Sequence, residues 1–225
     1  MELSIDTSTN YAGIALSDQS KIIAERTWHS KRNHTIELIP AIQHMLDQMK
    51  IELVKIQAIF VAKGPGSFNG LRVGLSTAKG FALALSIPIV AISTLEIEAY
   101  HFAFTRLLLC SIHNAGRGEI AAALYRRDDH WKCIEKEHIT TTEVLCQKIR
   151  EETIFCGEIP GPDMQYLQQA LGKYAIIPDA TILLRHASHL AALGWQRLSA
   201  GIQDNPESLQ PIYLRKPPIT QRKVK

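Results

Sequence analysis

Cysteine is scarce in this chain of 225 residues, and its spacing excludes a common class of metal site. The four cysteines are Cys110, Cys133, Cys146 and Cys156. None forms a C-x₂-C pair, and no histidine-rich stretch accompanies them, so the pattern is not that of a zinc protein. We expect reduced, buried thiols in a cytoplasmic protein.

Long apolar runs are also missing. Glu2 and Asp6 place two acidic residues at the start of the chain, so we expect no signal sequence. No run approaches the roughly 18 apolar residues of a membrane span. Hydrophobic residues make up 46% and charged residues 21% of the chain, which is typical of a globular protein with one large or two small domains.

Acidic residues are absent from residues 215–225, which contain five basic residues. The rest of the chain has 20 basic and 22 acidic residues, so a nearly neutral body carries a basic tail. We expect residues 215–225 to be disordered. No pattern of stacking aromatic residues accompanies the tail, so any contact with RNA phosphates is expected to be weak and sensitive to salt. The five basic residues are Arg215, Lys216, Arg222, Lys223 and Lys225.

The glycine-rich segment Lys63–Gly74 organises the first half of the chain. It lies between the apolar run Ile56–Ala62, which predicts a buried strand, and Leu71–Leu85, whose apolar residues recur at helical spacing. Gly64 and Gly66 are free to adopt positive φ, and backbone N–H groups before a helix can bind an anion. The spacing matches neither a P-loop nor a dinucleotide fingerprint. A tight connection that needs small residues for packing explains the glycines equally well.

The strands of the first half predict a mixed sheet of five strands covered by helices. The turn Asp6–Asn10 is either a loop that embraces phosphate or Mg²⁺, or an ordinary Asx/ST turn. The strands are predicted at Met1–Ile5, Tyr11–Ser17, Lys21–Trp28, Ile56–Ala62 and Pro88–Ser93.

A helix is predicted over His34–Lys50, with Asn33 as its N-cap and a kink before Pro40. Its apolar face is either core packing or an adaptable surface for a partner. The face consists of Ile36, Ile39, Ile42, Met45, Leu46 and Met49.

The second half predicts another sheet with helices. His186 and His189 lie on the last predicted helix without a third ligand nearby, which favours a solvated or hydrogen-bonded pair over a metal site. Strands are predicted at Leu107–His113, Glu119–Arg126, Trp131–Ile139, Thr153–Cys156 and Ala175–Ile177, and helices at Thr142–Arg150, Asp163–Leu171 and Thr181–Ser199.

Three ordered motifs resemble the TsaB (YeaZ) family, which helps to make threonylcarbamoyladenosine in tRNA. They are Leu3–Thr9 (LSIDTST), His34–Pro40 (HTIELIP) and Gly64–Gly80 (GPGSFNGLRVGLSTAKG), followed by Pro211–Arg215 (PIYLR). The resemblance implies an α/β protein of the actin-like ATPase (ASKHA) fold with two ribonuclease-H-like lobes. The first lobe would span residues 1–103, the second and degenerate lobe 104–214, and the tail 215–225.

The resemblance also implies a protein without catalytic activity or a metal site. The related catalytic subunit, TsaD, holds a metal through two histidines four residues apart, and Thr94 and Glu98 stand at those positions here while Glu96 remains. Asn114 stands where a related carboxylate is usual. Thr and Glu offer one weak and one hard ligand in place of two imidazoles.

The same resemblance implies three partners. A TsaD homologue would bind through the helices His34–Lys50 and Leu71–Leu85, and the resulting heterodimer would recruit the ATPase TsaE. When TsaD is absent, the chain would form a homodimer. Transfer RNA would be reached through the complex. No cofactor is expected, except that ATP or ADP at the partner interface could touch this chain as a passive wall. The residues chosen to face such a nucleotide are Asp6, Thr7, Ser8, Gly64, Pro65, Gly66, Ser67 and Phe68; the anchors chosen from periodicity are Ile39, Ile42, Met45 and Leu75.

Two catalytic alternatives remain, one implied by a glycoprotease label in the wider family and one by the shared fold. A glycoprotease-like hydrolase could use Ser67 on its strand–turn–helix bend, although the glycine expected two residues after such a nucleophile is missing. An ATP-dependent kinase of the same fold is disfavoured by the short second lobe and by Asn114.

Overall fold

The computed structural model describes residues 1–179 and 184–215, which form two lobes built on two five-stranded sheets. The strands are β1 (Glu2–Asp6), β2 (Tyr11–Asp18), β3 (Lys21–His29), β4 (Ala58–Ala62), β5 (Ile89–Ile92), β6 (Leu108–Gly116), β7 (Glu119–Arg127), β8 (Trp131–Thr140), β9 (Thr153–Glu158) and β10 (Ala175–Ile176). The helices are α1 (His34–Met49), α2 (Phe68–Leu85), α3 (Thr94–Tyr100), α4 (Thr142–Lys148), α5 (Gly161–Leu171) and α6 (Ala187–Ser199).

The first sheet has the strand order β3-β2-β1-β4-β5 and is mixed, as predicted. Strands β1, β2 and β3 pair antiparallel, whereas β1, β4 and β5 pair parallel. The register places Ile5 of β1 beside Ile14 and Val61, so three apolar side chains meet at the centre of the sheet.

Different helices cover the two faces of this sheet, because successive side chains of a strand point to opposite sides. Ile59 and Val61 of β4 pack in the core beneath α1 and α2. Phe60, between them, packs on the other face with Leu190 of α6. Gly194 lets α6 approach this closely, since a Cβ atom at that position would overlap the Phe60 ring.

Three of the four predicted partner anchors lie in the first core. Ile42, Met45 and Leu75 are 2%, 5% and 4% exposed and pack in the cluster beneath α1 and α2. Only Ile39 stays on the surface, at 49% exposure. The choice of the other three as anchors was wrong because helical periodicity locates an apolar stripe but not the surface that covers it.

The second sheet has the strand order β10-β9-β6-β7-β8. Leu145 of α4 and Leu167 of α5 pack on one face of it. Leu95 and Ala99 of α3 pack on the other face, so the helix that follows the last strand of the first sheet serves the core of the second.

The C-terminal part of the chain returns to the first lobe. The boundary predicted near residue 103 falls between α3 and β6, but the predicted assignment of 104–214 to the second lobe does not account for α6, which packs on the first sheet. Leu209 joins the first core, Ile212 donates its N–H to the carbonyl of Lys63 at 2.7 Å, and Leu214 packs against the second core. Residues 209–215 therefore cross between the lobes.

Helix ends differ from the prediction in detail. α2 begins at Phe68, three residues early, because Ser67 Oγ caps it by accepting from the N–H of Gly70 at 3.4 Å. Asn33 is the N-cap residue of α1, but its side chain makes no capping bond, and Pro40 lies inside that helix. The predicted start of the last helix at Thr181 lies outside the described residues.

The predicted tail also lies outside the described residues, apart from Arg215. Arg215 donates to the carbonyls of Ala115 and Gly116 at 3.3 and 3.4 Å and pairs with Glu119, so it is held on the β6–β7 hairpin and belongs to the folded body. Among the helices of residues 1–179 and 184–215, none is both long and apolar enough to cross a membrane.

Candidate functional site

The turn after β1 folds back on its own carboxylate. Asp6 Oδ1 accepts from the backbone N–H of Ser8 at 2.9 Å and from Ser8 Oγ at 2.6 Å. Thr7 Oγ1 donates to the carbonyl of Gly70 at 2.7 Å. The Asx-turn interpretation is confirmed, and Asp6, Thr7 and Ser8 are buried.

The second oxygen of Asp6 binds an arginine from the far end of the chain. Arg185 Nε lies 2.5 Å from Asp6 Oδ2, and Arg185 Nη1 lies 2.8 Å from Glu98 Oε1. Arg185 Nη2 donates to Thr9 Oγ1 at 3.0 Å and, at 3.5 Å, to the carbonyl of Tyr11. One buried guanidinium therefore joins the first-lobe turn to the carboxylate of α3.

Glu98 extends this network into the second lobe. Its carboxylate accepts from Ser111 Oγ at 2.9 Å and contacts His113 Nε2 at 2.8 Å, both on β6. Gly157 makes room for it, because a Cβ atom there would stand 2.6 Å from Glu98 Oε2. With His113 protonated, two buried carboxylates face two buried cations, and their charges cancel.

Neighbouring charges shift the pKa values of His113, Glu98 and Arg185 toward their charged forms. Burial by itself lowers the pKa of His113, but the charge and hydrogen bond of Glu98 outweigh burial and raise that pKa above its ordinary value. Burial raises the pKa of Glu98, yet His113, Arg185 and Ser111 lower it overall. For Arg185, burial lowers the pKa and the nearby carboxylates, Asp6 first, raise it overall.

The glycine loop packs on the same turn. Ser67 donates its N–H to the carbonyl of Ser8 at 2.6 Å, and Cβ atoms at Gly66 and Gly70 would overlap backbone oxygens of that turn. Gly64 adopts positive φ, +96°, as predicted, whereas Gly66 does not. The packing interpretation explains these glycines, because the N–H groups of Ser67 and Gly70 that could bind an anion already have protein acceptors.

An open cleft of about 790 Å³ lies beside the loop, between the lobes. Of the eight residues predicted to face a nucleotide, Pro65, Gly66 and Phe68 line it, whereas Asp6, Thr7, Ser8 and Gly64 are buried and Ser67 is exposed outside its lining. The ring of Phe68 contacts Arg72, whose Cζ lies 4.0 Å from the ring centroid, and Tyr213, whose tilted ring lies at a centroid distance of 5.3 Å. The lining from β6, β7 and the turn between them consists of His113, Asn114, Ala115, Arg117 and Ala121.

Comparison with known proteins identifies the family. Residues 21–221 match the family model described as TsaD: tRNA N6-adenosine threonylcarbamoyltransferase. The chain is 32% identical to the tRNA threonylcarbamoyladenosine biosynthesis protein TsaB of Bacillus subtilis, over 95% of this chain and 93% of the relative. It is 35% identical to the TsaB protein of Haemophilus influenzae, over 95% and 92%. The chain belongs to the TsaB family. Its function therefore lies in the biosynthesis of threonylcarbamoyladenosine in tRNA.

The fold agrees with this membership of the TsaB family. The crystal structure of a Pseudomonas aeruginosa protein described as similar to peptidase YEAZ superimposes with a TM-score of 0.81 and 24% identity, over 95% of this chain and 99% of that one. The two mixed lobes are those of an actin-like ATPase fold, as the sequence motifs implied.

Thr94 and Glu98, which the resemblance aligned with the metal ligands of TsaD, have other contacts in this TsaB-family chain. Thr94 is buried in α3, and Glu98 is taken into the Arg185 network. His101 was missed as a neighbour of His186 and His189: its ring centroid lies 6.3 and 5.0 Å from theirs. Within the part of the chain that the structure describes, no group of three or more His, Cys, Asp or Glu residues could hold a metal ion.

Neither catalytic alternative gains support, the hydrolase from Ser67 or the kinase from Asn114. Its Oγ accepts from Gly70 N as the cap of α2, and no histidine hydrogen-bonds to it among residues 1–179 and 184–215. Asn114 Oδ1 accepts from the N–H of Gly116 at 2.7 Å, so this amide stabilises its own hairpin.

Proposed function

We propose that this chain is a non-catalytic scaffold subunit of the complex that makes threonylcarbamoyladenosine in tRNA, and that it pairs with a TsaD-type transferase. One observation supports the non-catalytic role: the guanidinium of Arg185 binds both Asp6 and Glu98. Phosphoryl and carbamoyl transfer need metal ions or cations placed where negative charge develops. Here the charges nearest the turn neutralise one another inside the protein.

The pairing surface that we propose lies on α1 and α2, which pack side by side. Ile36 and Ile39 of α1 and Leu83 of α2 are 71%, 49% and 54% exposed. Exposed apolar side chains on neighbouring helices favour an interface, whose buried core supplies most of the affinity. In our proposal a TsaD homologue covers these helices, a second copy covers them when TsaD is absent, and the ATPase TsaE joins the heterodimer.

We infer that any nucleotide at this interface touches only the outer cleft. Pro65, Gly66 and Phe68 line that cleft, whereas the Asp6 carboxylate is buried against Arg185. ATP or ADP would then meet a wall of backbone and aromatic ring without a metal from this chain. Transfer RNA would reach the chain through the complex, in the cytoplasm, with weak direct contact at most.

The pairing is tested by size-exclusion chromatography with light scattering of this chain, alone and mixed with the TsaD of its organism. Ile36→Asp combined with Ile39→Asp adds charge to the exposed face of α1. Val54→Asp is the matched control, because Val54 is 67% exposed and lies outside α1 and α2. We expect a heterodimer with the wild type and with the control, and at least a tenfold loss of affinity with the double variant.

Two results would contradict the proposal. A folded wild-type chain that stays monomeric with TsaD removes the scaffold role, and equal binding by the double variant removes α1 as the surface. The non-catalytic role is tested separately. The purified chain should release no phosphate from ATP, and TsaD and TsaE supplied with a threonylcarbamoyl donor should modify tRNA only when this chain is present. Serine-dependent peptide cleavage, abolished by Ser67→Ala, would support the hydrolase alternative instead.

A further inference from the structure

Two acidic side chains from distant parts of the chain meet on one guanidinium. Asp6 ends β1 of the first lobe, and Glu98 lies on α3 against the second sheet, yet Arg185 Nε and Nη1 bind them at 2.5 and 2.8 Å. All three side chains are at most 6% exposed. The guanidinium is therefore the cation that two buried carboxylates share, and without it their charges would repel each other.

The other acceptors around the guanidinium are oxygens too. Thr9 Oγ1 and the carbonyl of Tyr11 accept from Nη2 at 3.0 and 3.5 Å. Carboxylate, hydroxyl and carbonyl oxygens are the donor set that Mg²⁺, Mn²⁺ and Ca²⁺ prefer. The surroundings of Arg185 thus have the chemistry of a hard-cation site whose occupant is an arginine.

The geometry points to Arg185 as the resident cation of the interlobe site: it holds Asp6 and Glu98 together in the place of a divalent cation and excludes such a cation from the site. The role goes beyond the scaffold function, because it concerns how one chain closes its own lobes. Through Glu98 the guanidinium also reaches Ser111 and His113 of β6, so one charge ties the β1 turn, α3 and the second sheet together.

Removal of Arg185 leaves a defined charge imbalance. In the wild type the two carboxylates balance Arg185 and protonated His113; without the guanidinium one negative charge remains uncompensated beside an opening of guanidinium size. A small divalent cation with retained water can fill that opening. The inference is therefore that loss of Arg185 converts a closed network into a Mn²⁺ site.

The test is a titration of the full chain with Mn²⁺, in which electron paramagnetic resonance measures how much Mn²⁺ is bound. The variants are Arg185→Ala, Arg185→Ala with Asp6→Asn, Asp6→Asn alone, and Arg197→Ala. The last is the matched control, since Arg197 lies on α6 and pairs with Glu96 of α3 at 2.5 Å, away from Asp6. We expect Arg185→Ala to bind one more Mn²⁺ per chain than the wild type. The double variant and Arg197→Ala should bind no more Mn²⁺ than the wild type.

Melting temperature gives a second readout. Mn²⁺ should raise the melting temperature of Arg185→Ala and leave the melting temperature of the wild type unchanged. If Arg185→Ala is unfolded without metal, the inference requires that Mn²⁺ restores its circular dichroism spectrum. Three results would overturn the inference. The Arg185→Ala chain could be folded and bind no additional Mn²⁺, or it could be unfolded and not be restored by Mn²⁺. The third result is that the wild-type chain binds Mn²⁺ and loses this binding with Asp6→Asn. The chain is tested alone, so these outcomes are independent of partner binding.

Discussion

The imidazole of His113 lies 2.8 Å from the Glu98 carboxylate, and this buried pair joins β6 of the second lobe to α3. Charge and hydrogen bonding from Glu98 hold the pKa of His113 above its ordinary value, against the opposing effects of burial and of Arg185, while Glu158 adds a smaller upward contribution. This contact between α3 and β6 is therefore linked to pH.

The first prediction concerns stability against pH. Folding raises the pKa of His113, so the pair stabilises the fold fully below the unfolded-state pKa, about 6.5, and that contribution is lost as pH rises through the folded-state pKa. Urea unfolding across neutral and alkaline pH should show this decline in the wild type and a smaller one in His113→Gln. Parallel curves for the two proteins would remove His113 as the group responsible.

The second prediction concerns the glycines of α2. A Cβ atom at Gly70 would overlap the carbonyl oxygen of Thr7, so Gly70→Ala should destabilise the fold by about 1–3 kcal/mol through overpacking. Gly80→Ala is the control in the same helix: nothing lies within 4 Å of its Cβ position, and alanine should add about 0.5–1 kcal/mol of stability. Denaturant unfolding measures both, and effects of equal sign would contradict the packing role of the loop.

The third prediction separates core from surface on α1. Met45 is 5% exposed and Met49 is 39% exposed. Met45→Ala should therefore lower the free energy of unfolding by about 2–5 kcal/mol, whereas Met49→Ala should change it by less than about 0.5 kcal/mol. Urea unfolding of both variants checks this. A marginal effect of Met45→Ala would place that side chain on the surface after all.

The fourth prediction concerns the four thiols. Cys133 is exposed and Cys146 is half-buried, whereas Cys110 and Cys156 are buried, and burial raises the pKa values of both buried thiols. Ellman's reagent should modify Cys133 first, Cys146 more slowly, and the two buried thiols only in denaturant. Mass spectrometry of the modified peptides gives the order, and early modification of Cys110 would be incompatible with this core.

Much of the first lobe could be predicted from local patterns. Alternation and turn residues located the antiparallel strands, and helical spacing located α1 and α2, because these features depend on near neighbours in the sequence. Ser67 shows the limit of such patterns. Its role as the cap that starts α2 at Phe68 decided the helix boundary, and apolar spacing, which begins at Leu71, does not reveal it.

The candidate site could be predicted only in part. Residues of the Asp6 turn and of the glycine loop were both predicted to face a nucleotide. In the structure the two segments lie together and satisfy each other's hydrogen bonds. No local pattern singles out Arg185 or places His101 beside His189, because their partners come from other elements. A buried arginine without a sequence motif can be recognised as part of a site only when the positions of the carboxylates that it pairs with are known.

The sequence alone determined the family, the two-lobed fold and the course of the first sheet, since these rest on ordered motifs and on the periodicity of side chains. The tertiary structure decided which side of each apolar stripe remains exposed and which charges meet. Asp6 and Arg185 are 179 positions apart, and α6 returns to the first sheet only after the second lobe is complete. Burial and ion pairing depend on distances in space, which the whole fold sets.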